Sequence, residues 1–389
     1  KPSSAASDVY KRQVSDYANF LGVDYDGEDF VVEGISFDTR KSKRNQLFIP
    51  LKGENFDGNN FLQKAIDIGC VVLTNKRLFK NSLIVEDVYA SLLRLCALQL
   101  QKSRVSTIFI TGSFGKTTIK DMLKHVLGNK CHASAENQNN EFGVPYTILS
   151  LKDEHEDIVI EFGARKSGDF NKFAKFLKCD ALILTSISNN HLETFESELN
   201  IERTKLRLRE CLKDSNNFID GRLIKYQNYK EKNIEIIRKT LQLLDKKRSI
   251  NFDNFEASAG RGNIIKKYNG EIIDQTYNAS PTTVVATLME FDPKKTTAIL
   301  GDMAELGDKE LEIHINLLRV LKNKSVYVTG NLFKKASDIL SLKSITYFKN
   351  EYDFPKETLL ERLRNNEKVY IKGSRSSRME RYVDILKNG

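Results

Sequence analysis

The sequence predicts an α/β protein of three domains: a small N-terminal α/β unit, a central parallel sheet with a phosphate-binding loop and flanking helices, and a C-terminal Rossmann-like α/β unit. Three observations lead there. The 389 residues suffice for two or three domains of ordinary size. Short apolar runs alternate with helical patterns along most of the chain, as in parallel sheets covered by helices. A glycine loop, Ile110 to Thr118, stands between a strand-like run and a helix-like run.

Taken in order, Lys1 to Gln13 is small, polar and unpatterned, so it is set aside and order is expected from about Tyr17. Residues 14–101 form the first expected domain, with β-type runs between Val31 and Val85 broken by Gly, Asn and Asp. Tyr89 to Gln101 repeats apolar residues at three and four, the spacing of one helix face. Residues 102–293 form the second domain, where STIFITG, the glycine loop and IKDMLKHVLG are followed by DIVIEFG and ALILTSI. Residues 294–389 form the third, with TTAILGD, a helix through ELEIHINLLRVL, then SVYVTG and KVYIKGS.

With 40% hydrophobic and 29% charged residues, intrinsic disorder and collagen-like structure are excluded. No apolar run approaches the roughly 18 residues of a membrane span, and the first residues carry no signal-peptide core, so a cytoplasmic protein without membrane insertion is expected. The net charge of +9 is spread along the chain. Small phosphorylated partners fit that charge as well as nucleic acid does, and aromatic residues are not interleaved with its short basic clusters, which argues against a nucleic-acid-binding ATPase. Five cysteines lie far apart with no CxxC pair, against zinc sites and disulfides.

In the glycine loop, backbone N–H groups of Gly112, Ser113, Phe114 and Gly115 and the following helix N-terminus suit phosphate oxygens. Lys116 would reach the terminal phosphates, and Thr117 or Thr118 would offer a hydroxyl to Mg²⁺. The GxxxxGK[ST] pattern itself fails, because Ile110 occupies its first glycine position.

The TGxxGKTT variant, with the segments around it, resembles the Mur ligase family. The resemblance covers nearly the whole chain: SFDTRK, LFIPLKG and FDGNNF, then NQNNEFGVP, VIEFGA and HLETF, then DQTYNASP, LGDMAELG and KGSRSSRME stand in family order. It implies an ATP-dependent amide ligase of peptidoglycan precursor synthesis, adding D-alanyl-D-alanine to UDP-MurNAc-tripeptide through an acyl phosphate, with ATP and Mg²⁺ as cofactors, working as a monomer. By that resemblance Glu161, His191 and Lys205 join Thr117 at the metal, Lys205 as a carbamate, and with Lys116 they form the catalytic set. Arg261, Asp274, Tyr277 and Asn278 would lie at the nucleotide. Ser36, Asp38, Arg40 and Asp57 would take the uridine substrate, which the segment from about Tyr17 to Gln101 is expected to bind unaided, and Asn140, Lys372, Ser374 and Arg375 would complete substrate binding.

Several positions depart from the family. Leu206-Arg207 replaces the usual Gly-Glu after the lysine, Phe114 stands where Asn is common, and Gln275 and Ser280 alter the DDSYNANP pattern. The segment after Lys205 is also much shortened. Alternatives are another Mur-type ligase, acting on a different amino acid or on folate, and a catalytically impaired paralogue. Whether the third peptide residue is diaminopimelate or lysine stays open.

Overall fold

The computed structural model describes residues 12–53, 56–76, 80–135, 138–188 and 192–389. Order begins ahead of Tyr17. Gln13 bridges Val31, and helix α1 (Val14–Leu21) starts on a Val14 that is fully buried. The polar neighbours hide this one apolar anchor in the sequence.

In the first unit, β1 (Ile35–Ser36) and β2 (Leu47–Phe48) precede a hairpin of β3 (Lys52–Gly53) and β4 (Phe56–Asp57). Then come α2 (Leu62–Ile68), β5 (Val71–Thr74), β6 (Ser82–Ile84) and α3 (Val88–Ser103). The main sheet is parallel, in the order β1-β2-β5-β6. Helix α3 is capped by Asp87, whose Oδ1 accepts the Ala90 N–H at 2.9 Å. Its residues Leu92, Leu95 and Cys96 belong to one apolar core with Val144, Ile148 and Phe173 of the middle unit. Each fully buried leucine contributes roughly 2 kcal/mol, so this helix joins the two units.

The middle unit runs β7 (Ser106–Thr111), α4 (Lys116–Leu127), β8 (Cys131–Ala133), α5 (Gly143–Leu149), β9 (Asp157–Glu161), α6 (Asn171–Phe176) and β10 (Ala181–Leu184). It continues with α7 (Leu192–Phe195), α8 (Glu198–Leu206), β11 (Phe218–Asp220) and α9 (Tyr229–Leu243). Its five strands are parallel, ordered β11-β10-β7-β9-β8. Alternation along β7 sends Phe109 to the face shared with α3 and Ile108 and Ile110 to the face under α4 and α9. The carboxyl ends of β7, β9 and β10 therefore share one edge, where ligands bind in open α/β sheets.

The third unit begins with β12 (Asn263–Lys267) and β13 (Gly270–Gln275), then α10 (Pro281–Leu288), β14 (Thr296–Gly301), α11 (Glu310–Val320), β15 (Ser325–Thr329) and α12 (Asn331–Leu340). It ends with β16 (Ile345–Tyr347), α13 (Lys356–Arg364), β17 (Lys368–Lys372) and α14 (Glu380–Lys387). The sheet order is β12-β13-β17-β14-β15-β16, parallel except for the β12–β13 hairpin. The boundary expected at 293/294 thus falls inside this unit. Phe255 still packs on the middle core, so we propose a boundary between 256 and 262.

Among the described residues no helix is long and apolar enough to cross a membrane. All five cysteines are buried and unpaired.

Candidate active site

The loop after β7 folds tightly against the end of β10. Gly112 has φ +147°, and a Cβ there would collide with the Thr185 hydroxyl. Gly115 takes φ +83° to start α4, a conformation that glycine adopts freely. Ser113 N donates to Ser186 O at 2.9 Å, and Phe114 N donates to Ser186 Oγ at 2.9 Å. The hydroxyls of Thr185 and Ser186 donate to Phe114 O at 2.5 and 2.9 Å. This bracing leaves the α4 N-terminus facing the sheet edge, a ready site for anionic oxygens.

Lys116 Nζ folds back onto Gly112 O at 2.9 Å. Burial lowers its pKa, the Glu161 carboxylate opposes that, and the nearby Arg261 guanidinium adds to it. Thr117 is buried and its Oγ1 donates to Glu161 Oε2 at 2.6 Å. Asn139 Nδ2 donates to Glu161 Oε1 at 2.8 Å, and Glu161 N donates to Ser134 Oγ at 3.1 Å. Burial alone would raise the Glu161 pKa, but Lys116, these two side-chain hydrogen bonds and Arg261 together hold it below the usual carboxylate value.

Lys205, on α8, is 4% exposed. Burial first, and the charge of Lys116 second, depress its pKa to about 7. Among the described residues its ammonium makes no hydrogen bond or ion pair. Lys116, Thr117, Glu161 and Lys205 are therefore brought together, and His191 lies outside the described residues. Thr118 follows on α4, partly exposed.

The third unit closes over this edge. The Arg261 guanidinium lies 3.7 Å from the centre of the Tyr277 ring, while its charge reaches Lys116, Glu161 and Lys372. Lys372 is 5% exposed, donates to Gln275 Oε1 at 3.2 Å, and is held to a pKa of about 7 by burial and then by Arg261. Asp274 Oδ1 accepts from Thr276 Oγ1 at 2.7 Å, and Asn278 Oδ1 from Ala279 N at 2.9 Å, so both shape the turn into α10. Ser374 Oγ donates to Asp302 O at 2.5 Å, whereas Arg375 points outward, 3.6 Å from Glu380. Ser258 Oγ donates to Asp121 Oδ2 at 2.6 Å and Tyr229 N to Glu290 Oε1 at 2.5 Å, both across the two units.

The first-unit residues are placed apart from this cluster. Arg40 makes a forked pair with Asp38, 2.7 Å at its shortest, which holds the Asp38 pKa down to about 2. Ser36 Oγ donates to Asp38 O at 3.2 Å, and Asp57 caps a turn by accepting Asn59 N at 2.9 Å. Asn140, in the middle unit, accepts Phe142 N and Gly143 N on its Oδ1 at 3.2 and 2.9 Å in the turn ahead of α5. None of these five lines the cleft of about 930 Å³ between the first and middle units, although the neighbours Asn59 and Glu141 do.

Sequence reasoning passed over Asn139, which orients Glu161, and Lys232, which is buried with its Nζ donating to Thr185 O at 3.1 Å. In a run of three asparagines and a glutamine nothing marks which amide faces the carboxylate. Lys232 had a weak signal as the one cation on the apolar face of α9.

The sequence pattern of the Mur ligase middle domain matches residues 110–297. The UDP-N-acetylmuramoyl-tripeptide–D-alanyl-D-alanine ligase of Bacillus subtilis (strain 168) is 28% identical, over 92% of this chain and 94% of its own. The chain belongs to the Mur ligase family. The three-unit Mur ligase fold extends to solved structures. The UDP-N-acetylmuramoylalanyl-D-glutamyl-2,6-diaminopimelate–D-alanyl-D-alanyl ligase of Acinetobacter baumannii superposes with a TM-score of 0.78 at 21% identity, covering 98% of this chain and all of that one. The MurF ligase of Thermotoga maritima, solved with ADP, gives 0.78 at 24% identity, covering 92% and 97%. In this Mur ligase the phosphate loop, Thr117 and Glu161 all lie within the stretch that the middle-domain pattern covers.

Proposed function

We propose that this Mur ligase joins D-alanyl-D-alanine to UDP-MurNAc-tripeptide at the expense of ATP, in the cytoplasm, for peptidoglycan precursor synthesis. The observation that carries this reading is end-to-end likeness to a ligase of that description, with the phosphate loop and the Thr117–Glu161 pair intact.

The residues present fit ATP and Mg²⁺. A glycine loop that a Cβ would fill, opening a helix beside a lysine, suits phosphate oxygens. A hydroxyl and a carboxylate 2.6 Å apart are the hard oxygen donors that Mg²⁺ takes, with water and phosphate oxygens completing its shell. Among the described residues no three His, Cys, Asp or Glu side chains form a ready cage. His191 would be a further ligand. Mg²⁺ would supply neutralisation of charge on the transferring phosphoryl group.

The chain's own work is largely positioning and electrostatics. The N–H groups at the N-terminus of α4 bind phosphate oxygens, those of Ser113 and Phe114 being taken by Ser186 contrary to the sequence expectation, and Lys116 shifts from Gly112 O to the terminal phosphate. Arg261 and Tyr277 flank the nucleotide. The terminal peptide carboxylate attacks the γ-phosphorus, the bond to ADP breaks, and an acyl phosphate forms. The dipeptide amine then attacks the acyl carbon, phosphate departs, and the amine proton is lost. Neutral Lys205 would combine with CO₂, releasing a proton, to present carbamate oxygens toward the metal. Lys372 and Ser374 would complete substrate binding, and the first unit would hold the uridine nucleotide.

The test is mass spectrometry of products after incubation with ATP, Mg²⁺ and UDP-MurNAc-tripeptide, supplying D-alanyl-D-alanine, single amino acids, or a folate with glutamate. A UDP-pentapeptide from the dipeptide alone is the expected result. Product only from a single amino acid or the folate would contradict it.

A further inference from the structure

The cleft of about 930 Å³ between the first and middle units is large enough for a peptide arm. One end abuts the Glu161 cluster. Gly163 lines the cleft and its N–H donates to Asn139 O at 2.7 Å, while the Asn139 side chain holds Glu161. Arg165 and Lys166, on the loop leaving β9, line the same end. Their backbones are fixed: both N–H groups donate to Asp169 Oδ2, at 2.8 and 3.1 Å, and the Thr194 hydroxyl donates to Arg165 O.

Their side chains are exposed and, among the described residues, make no hydrogen bond or ion pair. Lys172, in the same wall, is engaged by contrast: it lies 3.5 Å from Asp87 and over the Tyr89 ring. Two cations on an anchored loop, with free heads beside the reacting end of a cleft, are arranged to receive an anion.

We propose that Arg165 and Lys166 bind a second carboxylate of the peptide substrate, one that does not react. This rests on the tripeptide reading above. A glutamyl residue linked through one carboxyl keeps the other, and diaminopimelate keeps a distal carboxylate after its first is activated, which lysine lacks. Arginine's fork matches a carboxylate, and the adjacent lysine adds a point charge. A site built to hold such a group discriminates against substrates lacking it.

The test is steady-state kinetics of the full chain with three UDP-MurNAc-tripeptides: diaminopimelate in third place, lysine in third place, and the diaminopimelate peptide with its glutamyl carboxyl amidated. For the Arg165→Gln/Lys166→Gln variant, KM for the diaminopimelate peptide should rise at least tenfold, with kcat within twofold and KM for ATP unchanged. Arg165→Lys alone should raise KM less than the double variant does, because it keeps the charge and loses only the fork. A rise that disappears with the lysine peptide supports the proposal and assigns the distal carboxylate. A rise that disappears with the amidated peptide supports it and assigns the glutamyl carboxylate. No rise, or an equal rise with all three, overturns it. Wild-type protein that turns over none of the peptides instead removes the tripeptide reading, and the proposal with it.

Discussion

Lys205 places an ammonium, 4% exposed, within reach of the Lys116 charge, and burial has brought its pKa to about 7. In the unfolded chain the same group titrates near its ordinary value, so between about pH 7 and pH 10.5 the unfolded state holds the extra proton and stability rises with pH, by about 1.4 kcal/mol per unit. Below pH 7 the penalty is fully present. In CO₂-free buffer Lys205→Met should therefore melt higher than wild type at pH 6, with the gap closing toward pH 10, as followed by thermal unfolding. With ¹³C-bicarbonate, a carbamate carbon signal should appear in wild type and be absent from that variant. Lys116→Ala should lose ATP turnover by roughly 10²-fold or more while its melting temperature moves little, because Lys116 Nζ is bonded only to loop carbonyls. These residues were legible from a motif and a resemblance. The amide partner of Glu161 was not: Asn139 makes that contact, while its neighbour Asn140, singled out for substrate binding, turns its side chain to the start of α5, and only backbone direction decides which of two adjacent amides meets the carboxylate.

Among elements, the β7–loop–α4 passage was fully legible, because its glycines, lysine and threonines are local and each has a backbone reason. Gly112→Ala is expected to cost about 1–3 kcal/mol and to weaken nucleotide binding, since its φ of +147° and the Thr185 hydroxyl leave no place for a methyl group. Urea unfolding and ADP titration check both. The β12–β13 hairpin was missed. Its two short Ile pairs, set among Lys, Asn and Glu without alternation, give no strand pattern, although the Asn269-Gly270 pair is a hairpin signal. Its sheet membership depends on β17, a strand about a hundred residues away in sequence.

Across the whole molecule, three units meet around one edge. The first shares α3 and its core with the middle unit, and the cleft has walls from both. A segment 14–101 cut free would expose Leu92, Leu95 and Cys96, so it should bind UDP-MurNAc-tripeptide at least tenfold more weakly than the full chain in calorimetry, contrary to a first unit that acts alone. The third unit brings Arg261 within reach of the Lys116 and Glu161 charges, with Lys372 beside Arg261, a convergence that sequence order conceals. That convergence has one direct chemical consequence. When the terminal carboxylate of the tripeptide is labelled with ¹⁸O and supplied with ATP, Mg²⁺ and D-alanyl-D-alanine, one labelled oxygen should appear in inorganic phosphate for each UDP-pentapeptide formed. Unlabelled phosphate alongside pentapeptide would contradict acyl-phosphate ligation at this site, as would phosphate release without any pentapeptide.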